Sequence, residues 1–374
     1  MILRVVITAA LAGALASIFV VRAARSMPDF EVYWRAGVRA AAAEPLYRAE
    51  DEHYQLKYLP AFAVLAVPLG WMPLPAAKAV WYALSVCLLG VVLVLSLWLL
   101  PAVRKRPWSL VLLTFLGMAK FYGHELVLGQ VNLLFAAVVL AAVHLERSGR
   151  GLQAGLLVAL AIVVKPYAVL FVPWLAGRRS VSAVAGAAAG IAAALALPAA
   201  VYGVPDTIGL HHAWWRTVSE STAPNLLNAD NVSLAAMYAK WMGPGAAAAS
   251  LAAASGIVLL AAAAYVVLRG GRLRAAAGLE AALLLTLIPL LSPQGWDYVF
   301  LIATPAVMYL INYERDLPAP ARAAAIIALL TIAFSLYDVM GRQAYAAFMA
   351  LSVISVCFVV LAGALVVLRV RGTA

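Results

Sequence analysis

The chain has 374 residues, of which 66% are hydrophobic and 11% charged, with a formal net charge of +11. This apolar content exceeds what the core of a soluble protein of this length needs, and it excludes the soluble globular and disordered classes. The positive charge does not indicate a nucleic-acid partner, because the lysines and arginines lie in short clusters between apolar runs, as topology signals do. We therefore predict an all-α, polytopic transmembrane protein with a single domain over residues 1–374, embedded in the lipid bilayer.

The first 74 residues predict a membrane anchor followed by polar and interfacial segments. The apolar run from Ile2 to Val21 predicts a retained first helix, with a cleaved signal peptide as the alternative. The polar stretch 22–57 is long enough to carry a short helix or two on the membrane surface. Residues 61–74 are apolar, but two prolines interrupt them and they are shorter than the ~20 helical residues that a span requires, which favours a re-entrant segment.

Further apolar runs predict the remaining membrane helices. They cover 79–100, 107–121, 129–145, 152–164, 167–176, 181–202, 245–268, 277–291, 298–312, 320–336 and 343–368. Proline removes a backbone donor and disfavours helix in the residue before it, so Lys165-Pro166 should separate two short helices that meet at Lys165. With the first helix, the pattern predicts about twelve spanning or partly spanning helices.

The distribution of charge predicts the orientation, because cytoplasmic segments collect Lys and Arg. An inside amino terminus with twelve crossings leaves only four of the 16 carboxylates inside: Glu146, Glu280, Glu314 and Asp316. The outer face then carries four polar stretches, at 22–57, 124–132, 203–243 and 292–297. Residues 22–57 and 203–243 are predicted as long outward loops, and their mixture of carboxylates, amides and aromatic rings suits the binding of a sugar. We therefore expect the chemistry on the outer face.

Short motifs in these stretches resemble those of a known family. In chain order they are Asp29-(3)-Tyr33, Glu44-Pro45-Leu46-Tyr47, Tyr58-Leu59-Pro60, Gly129-Gln130-Val131-Asn132, Lys165-Pro166, Asn231-Val232-Ser233 and Ser292-Pro293-(2)-Trp296. Their order and spacing are similar to those of glycosyltransferase family 87. The resemblance implies a GT-C fold and a metal-independent mannosyltransferase whose donor is a polyprenyl-phosphate-linked mannose. The chain departs from the family after Trp296, where Asp297-Tyr298-Val299 stands in place of a histidine pair.

The chemistry that the resemblance implies assigns roles to individual residues. A sugar hydroxyl is a poor nucleophile and needs a general base, for which Asp29 is the candidate and Glu31 the second choice. The phosphate of the departing lipid needs a cation, for which Lys165 is the first candidate, with Arg216, His211 and His212 as helpers. Such a displacement inverts the anomeric centre. Further substrate contacts are expected from Glu31, Tyr33, Tyr58, Gln130, Asn132, Asn231, Ser233, Trp296 and Asp297.

For several of these residues, a structural role is an alternative to the catalytic or binding role. Asp29 suits the N-cap of a helix, and a lysine such as Lys165 reaches the interface in many membrane proteins. Gln130 and Asn132 suit bonds between neighbouring helices, and Asn231 and Ser233 suit a loop-fixing role. Asp29 and Glu31 also leave open a divalent-cation site, although oxygen-ligand sites usually recruit more carboxylates.

The expected partners are the lipid-linked sugar donor and an acceptor, which is a glycolipid, a polysaccharide or a protein. The expected location is a bacterial inner membrane with the site facing outward. The alternative function is a transporter or flippase, which the many spans and the broken helix at Lys165 suit. A transporter should be polar in the middle of its spans, whereas this chain is polar at its outer edge.

Overall fold

The computed structural model describes residues 13, 16, 17, 19–270 and 274–372. The predicted first helix, Ile2–Val21, therefore lies mostly outside the described residues. The described chain forms 18 α-helices and several short 3-10 turns, and in it Asn231 and Trp296 form only an isolated antiparallel bridge. This confirms the predicted all-α fold.

Many of the helices follow one another closely, but longer connections cover 42–59, 221–233 and 292–303. The polar stretch 22–57 contributes the first of these 18 helices. Their bounds are α1 Pro28–Ala41, α2 Pro60–Leu65, α3 Val67–Gly70, α4 Leu74–Leu99, α5 Pro107–Leu128, α6 Asn132–Arg147, α7 Gly151–Val164, α8 Phe171–Gly177, α9 Val181–Ala196, α10 Ala199–Glu220, α11 Leu234–Met242, α12 Ala246–Gly270, α13 Ala277–Leu291, α14 Thr304–Tyr313, α15 Ala319–Phe334, α16 Tyr337–Met340, α17 Arg342–Ala350 and α18 Val353–Val370.

Four of these helices, α4, α5, α12 and α18, are long and apolar enough to cross a membrane. The pair formed by α9 and residues 199–225 bends by 88° and makes a fifth span if it is counted as one. Other apolar helices, such as α7 and α15, have fewer than 18 residues. The chain is thus an integral membrane protein of the polytopic class, while the number of twelve spans stays a prediction.

Helix α13 forms the centre of the bundle. Every residue from Ala277 to Leu290 is buried, as expected of a helix that is apolar on all sides. It packs against α12, α14, α18 and the 3-10 segment 297–303. The loop that follows α13 therefore starts from a rigid position in the core.

Three expectations from the sequence pattern differ from the structure in detail. The run 343–368 is divided between α17 and α18, with Ser352 in the left-handed region at φ 55°. The run 181–202 is divided at Pro198 between α9 and α10. The predicted long loop 203–243 is mostly helical, since α10 and α11 occupy much of it. Polar composition there reflects exposure to solvent and not the absence of a helix.

One group of charged residues forms ion pairs near the start of α5, and the polar stretches meet near the other end of this helix. The four carboxylates predicted for the inner side all form ion pairs with arginine or lysine side chains. These pairs are Glu146 with Arg178, Glu280 with Arg178, Glu314 with Lys105, and Asp316 with Arg104. Helix α5 starts just after Arg104 and Lys105 and, with 22 residues, is about 33 Å long. Gly129 and Gln130 follow its other end, where the polar stretches meet.

Helix α1 approaches its neighbours closely at two glycines. A Cβ on Gly37 would lie 2.3 Å from the Ala66 carbonyl oxygen, and one on Gly70 would lie 2.6 Å from the Val38 nitrogen. Small residues allow such contact between helix backbones. Helices α2 and α3 thus hold α1 in place against the bundle.

The end of α5 provides the second support of α1. Gly129 ends α5 in the left-handed conformation, with φ 71°, and its carbonyl accepts a hydrogen bond of 2.9 Å from Trp81 Nε1. A Cβ on Gly129 would lie 2.7 Å from the Cβ of Phe30. The turn therefore packs directly against the first turn of α1.

We expect Gly129→Ala to lower the melting temperature of the purified protein by several degrees. The left-handed conformation costs a residue with a side chain about 1–2 kcal/mol, and the new methyl group also displaces Phe30. Gly123→Ala in the same helix is the control, because a Cβ there meets nothing within 4 Å. Equal melting temperatures for both variants would contradict the close packing of α1 on this turn.

Candidate functional site

A cavity of about 330 Å³ opens where all four predicted polar stretches come together. Its wall combines the first turns of α1, residues 53–58, the turn after α5, the break between α7 and α8, Asn228 and the carboxylate of Asp230 before α11, and the loop after α13. Of the predicted site residues, it contains Asp29, Tyr33, Tyr58, Gln130, Lys165 and Trp296. The folding of the chain thus unites residues that are up to 267 positions apart in sequence, at Asp29 and Trp296.

Asp29 is the second residue of α1, after Pro28 at the first helical position. The N-cap position belongs to Met27, which adopts the left-handed conformation with φ 54° and makes no side-chain cap bond. The alternative prediction, that Asp29 is the N-cap of this helix, is therefore wrong, because Asp29 lies inside the helix. A carboxylate in the first turn is still stabilised by the helix dipole. Its side chain remains available to the cavity that it lines.

The environment of Asp29 raises its pKa. Burial is the largest cause, because it disfavours the charged carboxylate. The side-chain amide of Gln130 and the nearby basic groups of Lys165, His53 and Lys57 act in the opposite direction. Asp29 is thus a partly desolvated carboxylate that retains hydrogen-bonding and cationic support.

Gln130 connects the carboxylate to the aromatic wall of the cavity. Its Oε1 accepts a hydrogen bond of 3.0 Å from the Tyr33 hydroxyl, and its Nε2 donates one of 3.1 Å to the Tyr298 hydroxyl. The hydroxyls of Tyr33 and Tyr58 lie 2.8 Å apart. Gln130 therefore joins Tyr33 of α1 to Tyr298 across the cavity that Asp29 also lines, so it both lines the cavity and bonds neighbouring segments.

Two further basic residues, Lys57 and His53, line the cavity, and neither was predicted as a site residue. Burial lowers the pKa of Lys57, and the charge of Asp29 opposes that shift. The carbonyl of Lys57 accepts a 3.2 Å hydrogen bond from Trp214 Nε1 on α10. Lys57 could have been identified from the sequence, because it precedes Tyr58 in a stretch predicted to face the site. Together with Lys165, these residues place three basic side chains around Asp29.

His211 and Arg216, predicted as phosphate ligands, lie on α10 outside the lining of this cavity. His211 Nε2 is 3.1 Å from the carbonyl of Leu195, and Arg216 is exposed. The neighbouring His212 is exposed as well. The structure gives these residues no contact with Asp29, and their phosphate role stays a prediction.

Asn231 and Ser233 bond to the backbone around the loop after α13. Asn231 Nδ2 donates to the carbonyls of Asn225 and Pro293, at 3.0 and 3.2 Å, and Ser233 Oγ accepts from Ala236 N as the N-cap of α11. Both side chains are buried and neither lines the cavity. Their observed contacts are those of the loop-fixing alternative.

The side chains of Asn132 and Glu31 are also engaged with other residues, one in a hydrogen bond and one in an ion pair. Asn132 Nδ2 donates to Glu125 at 2.7 Å, and Glu125 also accepts from Leu133 N at the start of α6. Glu31 pairs with Lys78 Nζ at 2.7 Å and lies outside the lining of this cavity. The geometry places Asn132 within the helix packing and leaves Asp29 as the carboxylate of α1 in the cavity.

Asp297 lies between Trp296 and Tyr298, which both line the cavity, but it is not itself part of the lining. Its carboxylate is 3.0 Å from Lys120 Nζ and 3.7 Å from His124 Nδ1. Burial raises the pKa of Asp297, but His124 and Lys120 outweigh this effect and hold the pKa below its ordinary value. The ion pair with Lys120 fixes the segment that carries Trp296 and Tyr298. The sequence predicted a substrate contact for Asp297.

Within the described residues, no group of three or more His, Cys, Asp or Glu side chains is placed to hold a metal ion. The second carboxylate that the sequence offered as a partner of Asp29, Glu31, is paired with Lys78. The metal independence of the protein stays a prediction.

We expect Asp297→Asn to destabilise the fold by about 3 kcal/mol, because it leaves the buried charge of Lys120 without its partner. Both side chains of this pair are less than 5% exposed. A double variant with Lys120→Met should recover part of the loss in thermal unfolding. Glu44→Gln, which breaks the exposed pair with Arg48, is the control and should change little. Equal effects at the two positions would contradict the structural role of Asp297.

A comparison with models of protein families matches residues 56–293 to glycosyltransferase family 87. No curated protein and no solved structure matches the chain. The matched region includes Tyr58, Gln130 and Lys165, whereas Asp29 and Trp296 lie outside it.

Proposed function

The chain belongs to glycosyltransferase family 87 and is a membrane glycosyltransferase, and we propose that it transfers mannose from polyprenyl-phosphate-mannose to an acceptor hydroxyl. The observation that carries this proposal is the cavity in which Asp29, with its raised pKa, faces three basic side chains. A transferase of this kind needs one base and a cationic site for a phosphate. We further propose that the cavity opens to the outer face of a bacterial inner membrane.

The reaction assigns a separate task to each group. The acceptor hydroxyl gives its proton to Asp29 while its oxygen attacks the anomeric carbon of the donor sugar. The bond between that carbon and the phosphate oxygen breaks, and the electron pair remains on the lipid phosphate. Lys165, Lys57 and His53 stabilise the charge that develops there. A single displacement inverts the centre, so a β-linked donor yields an α-mannoside.

The lipid part of the donor has an apolar site beside the cavity. A second, apolar cavity of about 120 Å³ is lined by residues of α2, α3, α6 and α7, and it shares Tyr33 and Val164 with the first. Leu65 and Leu160 on its wall are exposed at the surface of the bundle. An isoprenoid chain fits such a surface because it buries apolar area without needing hydrogen bonds. This arrangement supports a lipid-linked donor over a soluble nucleotide sugar.

We expect Asp29→Asn to reduce the transfer of radiolabelled mannose from polyprenyl-phosphate-mannose to membrane acceptors by about 100-fold or more, the usual contribution of a general base. EDTA should leave the rate of the wild-type protein unchanged. Glu50→Gln, which alters an exposed carboxylate outside the cavity, is the matched control and should retain activity. Full activity in Asp29→Asn would remove Asp29 from the mechanism, and inhibition by EDTA would indicate a metal.

The pH dependence tests the hydrogen bond between Gln130 and Asp29. This bond lowers the pKa of the carboxylate, so its removal in Gln130→Leu should raise that pKa further. Asp29 acts as a base only when it is deprotonated, so the acid limb of the profile of kcat/KM against pH should move to higher pH. An unchanged or lower midpoint would show that Gln130 does not support the ionised carboxylate.

A further inference from the structure

A second polar pocket lies beside the Asp29 cavity and has no role in the mechanism above. It has a volume of about 280 Å³ and is lined by Arg25, Ser26, Pro28, Glu31, Val32, Arg35 and Tyr54. Three of these residues, Pro28, Val32 and Tyr54, also line the Asp29 cavity. The two pockets therefore adjoin each other.

The two pockets use neighbouring faces of α1. Asp29 and Tyr33 are four residues apart and share one face, while Glu31 and Arg35 share the next. The residues before the helix, Arg25 and Ser26, complete the second pocket. The same helix thus presents the Asp29 carboxylate to one pocket and the Arg35 guanidinium to the other.

The second pocket carries an excess of positive charge. Glu31 is its one lining carboxylate, and Lys78 neutralises it from behind, with Nζ 2.7 Å from Oε1 and a side chain only 8% exposed. Arg35 lies at a longer distance of 3.4 Å from the other oxygen of Glu31. Arg25, Arg35 and Lys78 against Glu31 give a net charge of +2. This balance favours an anionic ligand.

We propose that this pocket binds an anionic group of the acceptor, so that the acceptor is a glycoconjugate bearing a phosphate or a carboxylate. This inference rests on the proposed transferase activity. The donor phosphate already has Lys165, Lys57 and His53 in the Asp29 cavity, next to the reacting carbon. A separate group of cations, one helix face away, accordingly serves the other substrate. The acceptor hydroxyl lies at Asp29 while the anionic group lies between Arg25 and Arg35.

The test compares octyl mannoside with a panel of its monophosphates as acceptors for mannose from polyprenyl-phosphate-mannose. With the wild-type protein, the best monophosphate should have a kcat/KM at least about tenfold above that of the neutral glycoside, the low end of what hydrogen bonds to charged groups contribute. In R25Q/R35Q the ratio should fall to about one, and R25K/R35K should keep most of it. Arg48→Gln, outside both pockets, is the matched control and should keep the wild-type ratio.

Each contrary result identifies what has failed. A wild-type protein that uses the neutral glycoside as well as every monophosphate overturns the inference and leaves the transferase proposal standing. A rise in the KM for the donor in R25Q/R35Q, with an unchanged ratio between acceptors, assigns the arginines to the donor phosphate and also overturns it. Transfer to none of these acceptors counts against the proposed function itself.

Discussion

The packing of α1 on the turn at Gly129 and Gln130 is the contact on which the site depends. Gly129 allows the turn to approach Phe30, and Gln130 then bonds to Tyr33 and lies beside Asp29 in the cavity. This contact removes Asp29 from bulk water and places it beside basic side chains. The basicity of Asp29 is therefore set by the way a surface helix packs against the end of a spanning helix.

Charged residues are arranged differently at the two ends of the bundle. At the far end of α5, carboxylates and cations pair with each other, as Arg104 does with Asp316. Around Asp29, Lys57, Lys165 and His53 instead line an open space. An anionic lipid headgroup is stabilised where basic side chains line an open space at the membrane interface. This distribution suits a site that receives a lipid phosphate.

Composition and proline placement predicted the class of fold and the break at Lys165, where α7 ends and a 3-10 turn begins at Pro166. The four polar stretches were also the right places to search, since all of them contribute to one cavity. The role of each polar residue was harder to predict. Asp297 and Asn231 have the chemistry of sugar ligands, but their partners are Lys120 and backbone carbonyls from distant segments. Only the distances between side chains distinguish these roles.

The most direct measurement is a cryo-EM structure of the Asp29→Asn protein in lipid nanodiscs with polyprenyl-phosphate-mannose bound. We expect the anomeric carbon to lie near the side chain of residue 29, with room for an acceptor oxygen between them. We also expect the phosphate beside Lys165 and Lys57, and the lipid chain along Tyr33 and Val164. A phosphate bound on α10 beside His211 and Arg216, or a sugar outside the cavity, would show that Asp29 is not the base of this site.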